Sequence, residues 1–207
     1  QRRASRRLPR GGRRDPGTVE LTPHEYHPQG PLQRALNVAD RVNWSLGGAF
    51  LWLSNICLLV MLGLTAATIV LRPIGLGAYW MWPWTMVFFI WLSFFGFFAL
   101  YARLKDVRVD FLAERMGAAG MLVTRIVSDA ATLIVTGVLL MQVPKVIATS
   151  TGIYDGATMP TGVELPRLAL SLPLFISTAL VALTAILDIA KLAAGMPENV
   201  TDHHPEI

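Results

Sequence analysis

The chain has 207 residues, 53% of them hydrophobic and only 15% charged, with a mean hydropathy of +0.48. Soluble domains carry about 25% charged residues, so this composition excludes a soluble enzyme and points to a single membrane bundle without a separate soluble domain. The formal net charge of +4 is concentrated: seven arginines fall in the first fourteen residues (Arg2 to Arg14), the pattern of a topology signal that also favours anionic lipid.

Residues 1–31 form an Arg-, Pro- and Gly-rich arm expected to have no fixed structure alone. The arm has no apolar core of a cleavable signal, so the first span is expected to act as the insertion signal. No aromatic interleaving or known module in it supports nucleic-acid binding. Pro31 suits a helix start, and Leu32, Leu36, Ala39, Val42 and Leu46 recur at spacings of three and four, with Arg34, Asp40 and Arg41 on other faces. This predicts a short amphipathic helix lying in the interface. Gly47–Leu71 is uncharged, long enough for span one, and Arg72-Pro73 stops it. Within it Ser54, Asn55, Thr65 and Thr68 are expected to bond between helices, and Cys57 to act as a small core hydrophobe.

From Pro73 to Ala102 there is again no charge, giving span two at about 82–102. Trp80, Trp82 and Trp84 crowd its start, where indoles favour the headgroup level. Phe88, Trp91, Phe95 and Phe98 form an aromatic stripe expected to pack against another subunit, with Gly96 allowing close approach. A charged elbow follows from Arg103 to Arg115, with Val107, Phe111 and Leu112 on one side, predicting a second interfacial helix.

Span three, about 121–143, contains Arg125, Ser128, Asp129, Thr132 and Thr136. Span four is about 168–190, with Pro173 in its first turns, and a polar tail runs over 193–207. The expected fold is thus all-α: a four-helix transmembrane domain over residues 32–192 with N-terminal and mid-chain interfacial amphipathic helices. Fourteen of the eighteen lysines and arginines flank the sides shared by the two termini and the elbow, which predicts both termini in the cytoplasm of a bacterial inner membrane.

Chemistry-bearing residues are sparse. His24, His27, His203 and His204 all lie outside the predicted spans, so a haem or chlorophyll ligand at membrane depth is not expected, and no metal pattern completes them. No cofactor and no catalytic cluster are predicted, and no phosphate loop, zinc motif or serine triad occurs. Asp129 is the carboxylate expected deep inside a span; Arg125, one turn earlier on the same face, makes a structural ion pair its expected role. Asp188 is expected at an exposed span end.

The ordered motifs resemble the small, Q-type membrane subunit of tripartite ATP-independent periplasmic (TRAP) transporters over residues 34–192. The resemblance rests on Arg72 closing span one, on Trp91-Leu-Ser-Phe-Phe-Gly96, on Val107-Arg108-Val109-Asp110-Phe-Leu, and on Pro166 and Pro173 entering the last span. Trp82-Pro83-Trp84-Thr85 lacks the family's acidic residues, and Asp106 stands where histidine is usual. The resemblance implies a non-catalytic scaffold bracing a large polytopic subunit that couples Na⁺ to organic-acid uptake. A periplasmic binding protein would join through that subunit. Trp91, Phe95, Gly96, Phe98, Arg108 and Asp110 are the expected partner contacts, alongside lipid. The alternative is an accessory subunit of another bacterial membrane complex, photosynthetic or respiratory, drawn from the same family.

Overall fold

The structure is a computed structural model describing residues 28, 30–76, 78–103, 117–197 and 200, without the side chains of 117–119 and 121. The arm, the four histidines, most of the elbow with Arg108 and Asp110, and the last residues of the tail lie outside the described residues. Among the described residues five helices follow one another: α1 (Pro31–Leu71), α2 (Met81–Arg103), α3 (Gly117–Met141), the short α4 (Val143–Thr149) and α5 (Leu168–Ala193). Four helical stretches among the described residues are long and apolar enough to cross a membrane, the third running from α3 into α4. The protein is an all-helical membrane protein with four spans.

The first correction concerns α1. The expected break between an interfacial helix and span one is absent, and 41 residues run as one helix about 60 Å long at 1.5 Å per residue. The reason is the orientation of residues 32–46. Asp40, Asn43 and Gly47 are buried, whereas Leu32, Val38 and Val42 are exposed. Asp40, Asn43 and Gly47 face the bundle, while Leu32, Val38 and Val42 face out together with Arg34 and Arg41. Hydrogen bonds and close approach, rather than apolar burial, hold such a polar and small-residue face to its neighbours in a membrane.

Antiparallel α1 and α2 form the most extensive pair, α5 packs on α1, α2 and α3, and α3 touches α5 but not α2. Gly47 and Gly96 make the α1–α2 pair close: a Cβ at Gly47 would stand 3.0 Å from the Ala102 Cβ, and one at Gly96 3.0 Å from Ser54 Oγ. Ser54 uses that proximity to donate to the Leu92 carbonyl at 2.9 Å.

Two apolar cores result. One joins Phe98, Ala102 and Val181 with Leu46 and Phe50. The other sits at the far end, where the 150–167 loop folds back through an Ile153–Pro166 bridge and buries Ala157 and Leu165 against Val87. Trp84 donates to the Ala157 carbonyl at 2.8 Å, tying the loop to α2, while Trp82 is exposed. Pro173 removes an N–H that would bond the Ala169 carbonyl, and Trp91 Nε1 occupies that acceptor at 2.8 Å.

Candidate functional site

The end of the bundle where α1 begins and α5 ends holds a group of charged side chains sealed from the surface. Asp40, Asp129, Asp188 and Lys191 are each at most 1% exposed, and Arg125 is 9% exposed. Lys191 Nζ lies 3.0 Å from an Asp40 carboxylate oxygen and 3.8 Å from one of Asp188, which precedes it by one helical turn. Arg125 Nη2 donates to the Asp188 backbone carbonyl at 3.3 Å, joining α3 to α5. Neutral groups extend the contact: Thr184 Oγ1 stands 3.0 Å from Asn43 Oδ1, and Gln33 Nε2 donates to the Ala194 carbonyl at 3.0 Å, where α5 ends.

Charge buried at membrane depth costs several kcal/mol unless it is paired and hydrogen-bonded. The pairing here is across helices, so separating α1 from α5 would strand Lys191 between lipid and protein. The group therefore fixes the register of α1 against α5 and of α3 against α5. Arg103 adds a cation at the same end, its guanidinium 4.3 Å from the centre of the Trp44 ring. Gly48 makes room for it, since a Cβ there would meet Arg103 Nη2 at 2.9 Å.

Two sequence expectations change. Asp188 is buried and not exposed, with Lys191 beside its carboxylate and Arg125 of α3 on its backbone carbonyl. The aromatic stripe of α2 is not a free face for another subunit. Phe98 is fully buried and Phe95 nearly so. Phe50 of α1 packs edge-on against both, with ring centroids 5.2 Å from Phe95 and 5.1 Å from Phe98. Gly96 opens toward Ser54 of α1, within the same chain. The stripe is thus used internally, Phe95 and Phe98 against α1 and Trp91 against α5.

Arg125 and Asp129 lie where the sequence placed them, one turn apart on α3 and both buried. The sequence reading missed Asp40, Asn43 and Lys191. Their signal was present in α1 as polar or small residues at positions 33, 37, 40, 43 and 47, a stripe with helical spacing. Arg108 and Asp110 lie outside the described residues. Among the described residues no group of three or more His, Cys, Asp or Glu has the arrangement of a metal site.

The outer surface of α1 offers a different candidate face. Trp52, Leu59 and Leu62 are exposed there, Trp52 at 70%, and Asn55 is exposed between them. Comparison with known proteins then bears on what such a face serves. No curated protein and no solved structure matches the chain. The family model "Tripartite ATP-independent periplasmic transporters, DctQ component" matches residues 61–195, which include the end of α1 from residue 61 and all of α2, α3, α4 and α5. With four membrane-spanning helices, the charged group between them and this match over most of its length, the chain belongs to the DctQ component family of TRAP transporters.

Proposed function

We propose that the chain is a non-catalytic scaffold that braces the large membrane subunit of a Na⁺-coupled organic-acid transporter, and that it docks through the outer face of α1. The observation that carries this reading is Asn55. It lies eight residues past Gly47, about 12 Å along an uncharged span, and it is exposed among Trp52, Leu59 and Leu62. An amide facing hydrocarbon at that depth is left unsatisfied at a cost of a few kcal/mol, whereas a partner helix can hydrogen-bond it. By contrast, Ser54, Ser177 and Thr136 on the inner faces each donate to a backbone carbonyl of the chain itself.

Both termini and the elbow face the cytoplasm of a bacterial inner membrane in this reading, and a periplasmic binding protein reaches the complex through the large subunit. Arg125 and Asp129 act as a structural ion pair within the charged group. The test is recovery of the large subunit with the tagged chain in mild detergent. Trp52→Ala combined with Asn55→Leu should lower recovery about fivefold, equivalent to about 1 kcal/mol. Undiminished recovery would place the docking face elsewhere.

A further inference from the structure

At the end opposite the charged group, α4 and the 150–167 loop frame a cleft of about 670 Å³ whose rim carries Arg167, Tyr154 and the hydroxyls of Thr149, Ser150 and Ser171. Deeper in the bundle an apolar slot of about 580 Å³ separates α2 from α3, with α5 as its floor. Phe94 and Leu174 line both, so the polar cleft and the apolar slot are adjacent, with those two side chains at their common border. Three hydroxyls in the slot are already engaged: Ser177 donates to the Phe94 carbonyl at 2.7 Å, Thr136 to Thr132 at 2.7 Å and Ser93 to Phe89 at 2.8 Å. Tyr101, Thr132 and Thr178 also line the slot, among the carbon surfaces of Phe97, Val135 and Leu139 that suit hydrocarbon.

The depths agree with one molecule occupying both. Leu168 to Leu187 of α5 is uncharged, about 30 Å of helix, which matches the hydrocarbon core and puts Arg167 at its boundary. Leu174 lies about 10 Å further along the axis, within the ~15 Å of one leaflet, and Val181, at about 21 Å, lies past its end. We infer that the cleft and slot hold one anionic glycerophospholipid, its phosphate against Arg167 and Tyr154 and an acyl chain between α2 and α3.

Charge complementarity carries the headgroup assignment. Arg167 Nε donates to the Ile153 carbonyl at 3.2 Å, which holds the guanidinium over the cleft. Its other partner, Asp155, is 3.9 Å away and 98% exposed, a water-screened pair that a phosphate can displace. A partner helix does not fit the slot. A helix with side chains is about 10–12 Å across and a span is about 30 Å long, whereas the slot follows α2 for about 10 Å, from Phe94 to Tyr101.

The experiment is native mass spectrometry of the full chain released from nanodiscs containing phosphatidylglycerol and phosphatidylcholine. One lipid should stay bound per chain, with phosphatidylglycerol favoured about fivefold, and Arg167→Gln should remove that preference. Ala131→Phe and, independently, Ser93→Phe fill the slot from exposed positions; each should lower retention of both lipids about fivefold with helix content unchanged. Equal retention by the wild type and both slot-filled variants overturns the inference, as does equal retention of the two lipids by the wild type. Saturable binding of succinate that Arg167→Gln abolishes, with lipid retention unaffected, would make the cleft a carboxylate site and overturn it too. The measurement needs no partner subunit, so its outcome is independent of the docking face on α1.

Discussion

At the scale of single residues, Lys191 decides the most. Replaced by Met, it leaves Asp40 and Asp188 buried without their shared cation. Breaking a buried pair by removing one partner typically costs about 3–5 kcal/mol, so Lys191→Met should fall to this level in a reversible detergent-unfolding titration. A loss below about 0.5 kcal/mol would mean that the cluster is not structural. Asp129→Asn should cost about 1–3 kcal/mol, and adding Arg125→Gln should restore part of it if the two pair as proposed. Equal damage in single and double variants would show them uncoupled. Arg125 and Asp129 were legible in the sequence because one helical turn separates them. Asp40 and Lys191 were not, because they sit at opposite ends of the chain and their pairing exists only once α1 lies against α5. Near the ends of apolar runs, both also look like ordinary flanking charges.

At the scale of elements, the four spans could be read from uncharged length alone, since about 20 apolar residues have few other uses. The joining of residues 32–46 to span one could not. Amphipathic spacing is the same whether the apolar side meets lipid headgroups or surrounds a polar seam, and the seam appears only against α5. The α2 stripe misled for a related reason: aromatic residues at helical spacing show that a face is packed, not which chain packs it. Gly96→Leu should therefore damage the isolated chain, by driving a side chain into Ser54 Oγ at the α1–α2 contact. Thermal unfolding of the chain purified alone should show the loss; an unaltered midpoint, with loss only of partner recovery, would return Gly96 to an intersubunit role. Trp91→Phe should cost about 1–3 kcal/mol, because the Ala169 carbonyl is left without both its helical donor and the indole.

At the scale of the whole molecule, one end is held by buried charge and the other by a loop folded onto tryptophans. Between them Ser54 and Ser177 bond across helices within the chain. The orientation proposed from the basic residues predicts that alkaline phosphatase fused at Gly156 is active and fused at Gly117 inactive, with the reverse pattern contradicting it. The central claim is that the chain braces a transporter without lining its path. Substrate affinity of the intact complex, measured for Asn55→Ala, Thr132→Ala and Thr136→Ala, tests this most directly. Asn55 lies on the proposed docking face, and the two threonines lie beside the slot between α2 and α3. Each assembled variant should bind substrate within about threefold of the wild type, less than about 1 kcal/mol. A loss of about tenfold or more in any of the three, with the complex still assembled, would place this chain on the solute pathway and contradict the scaffold account.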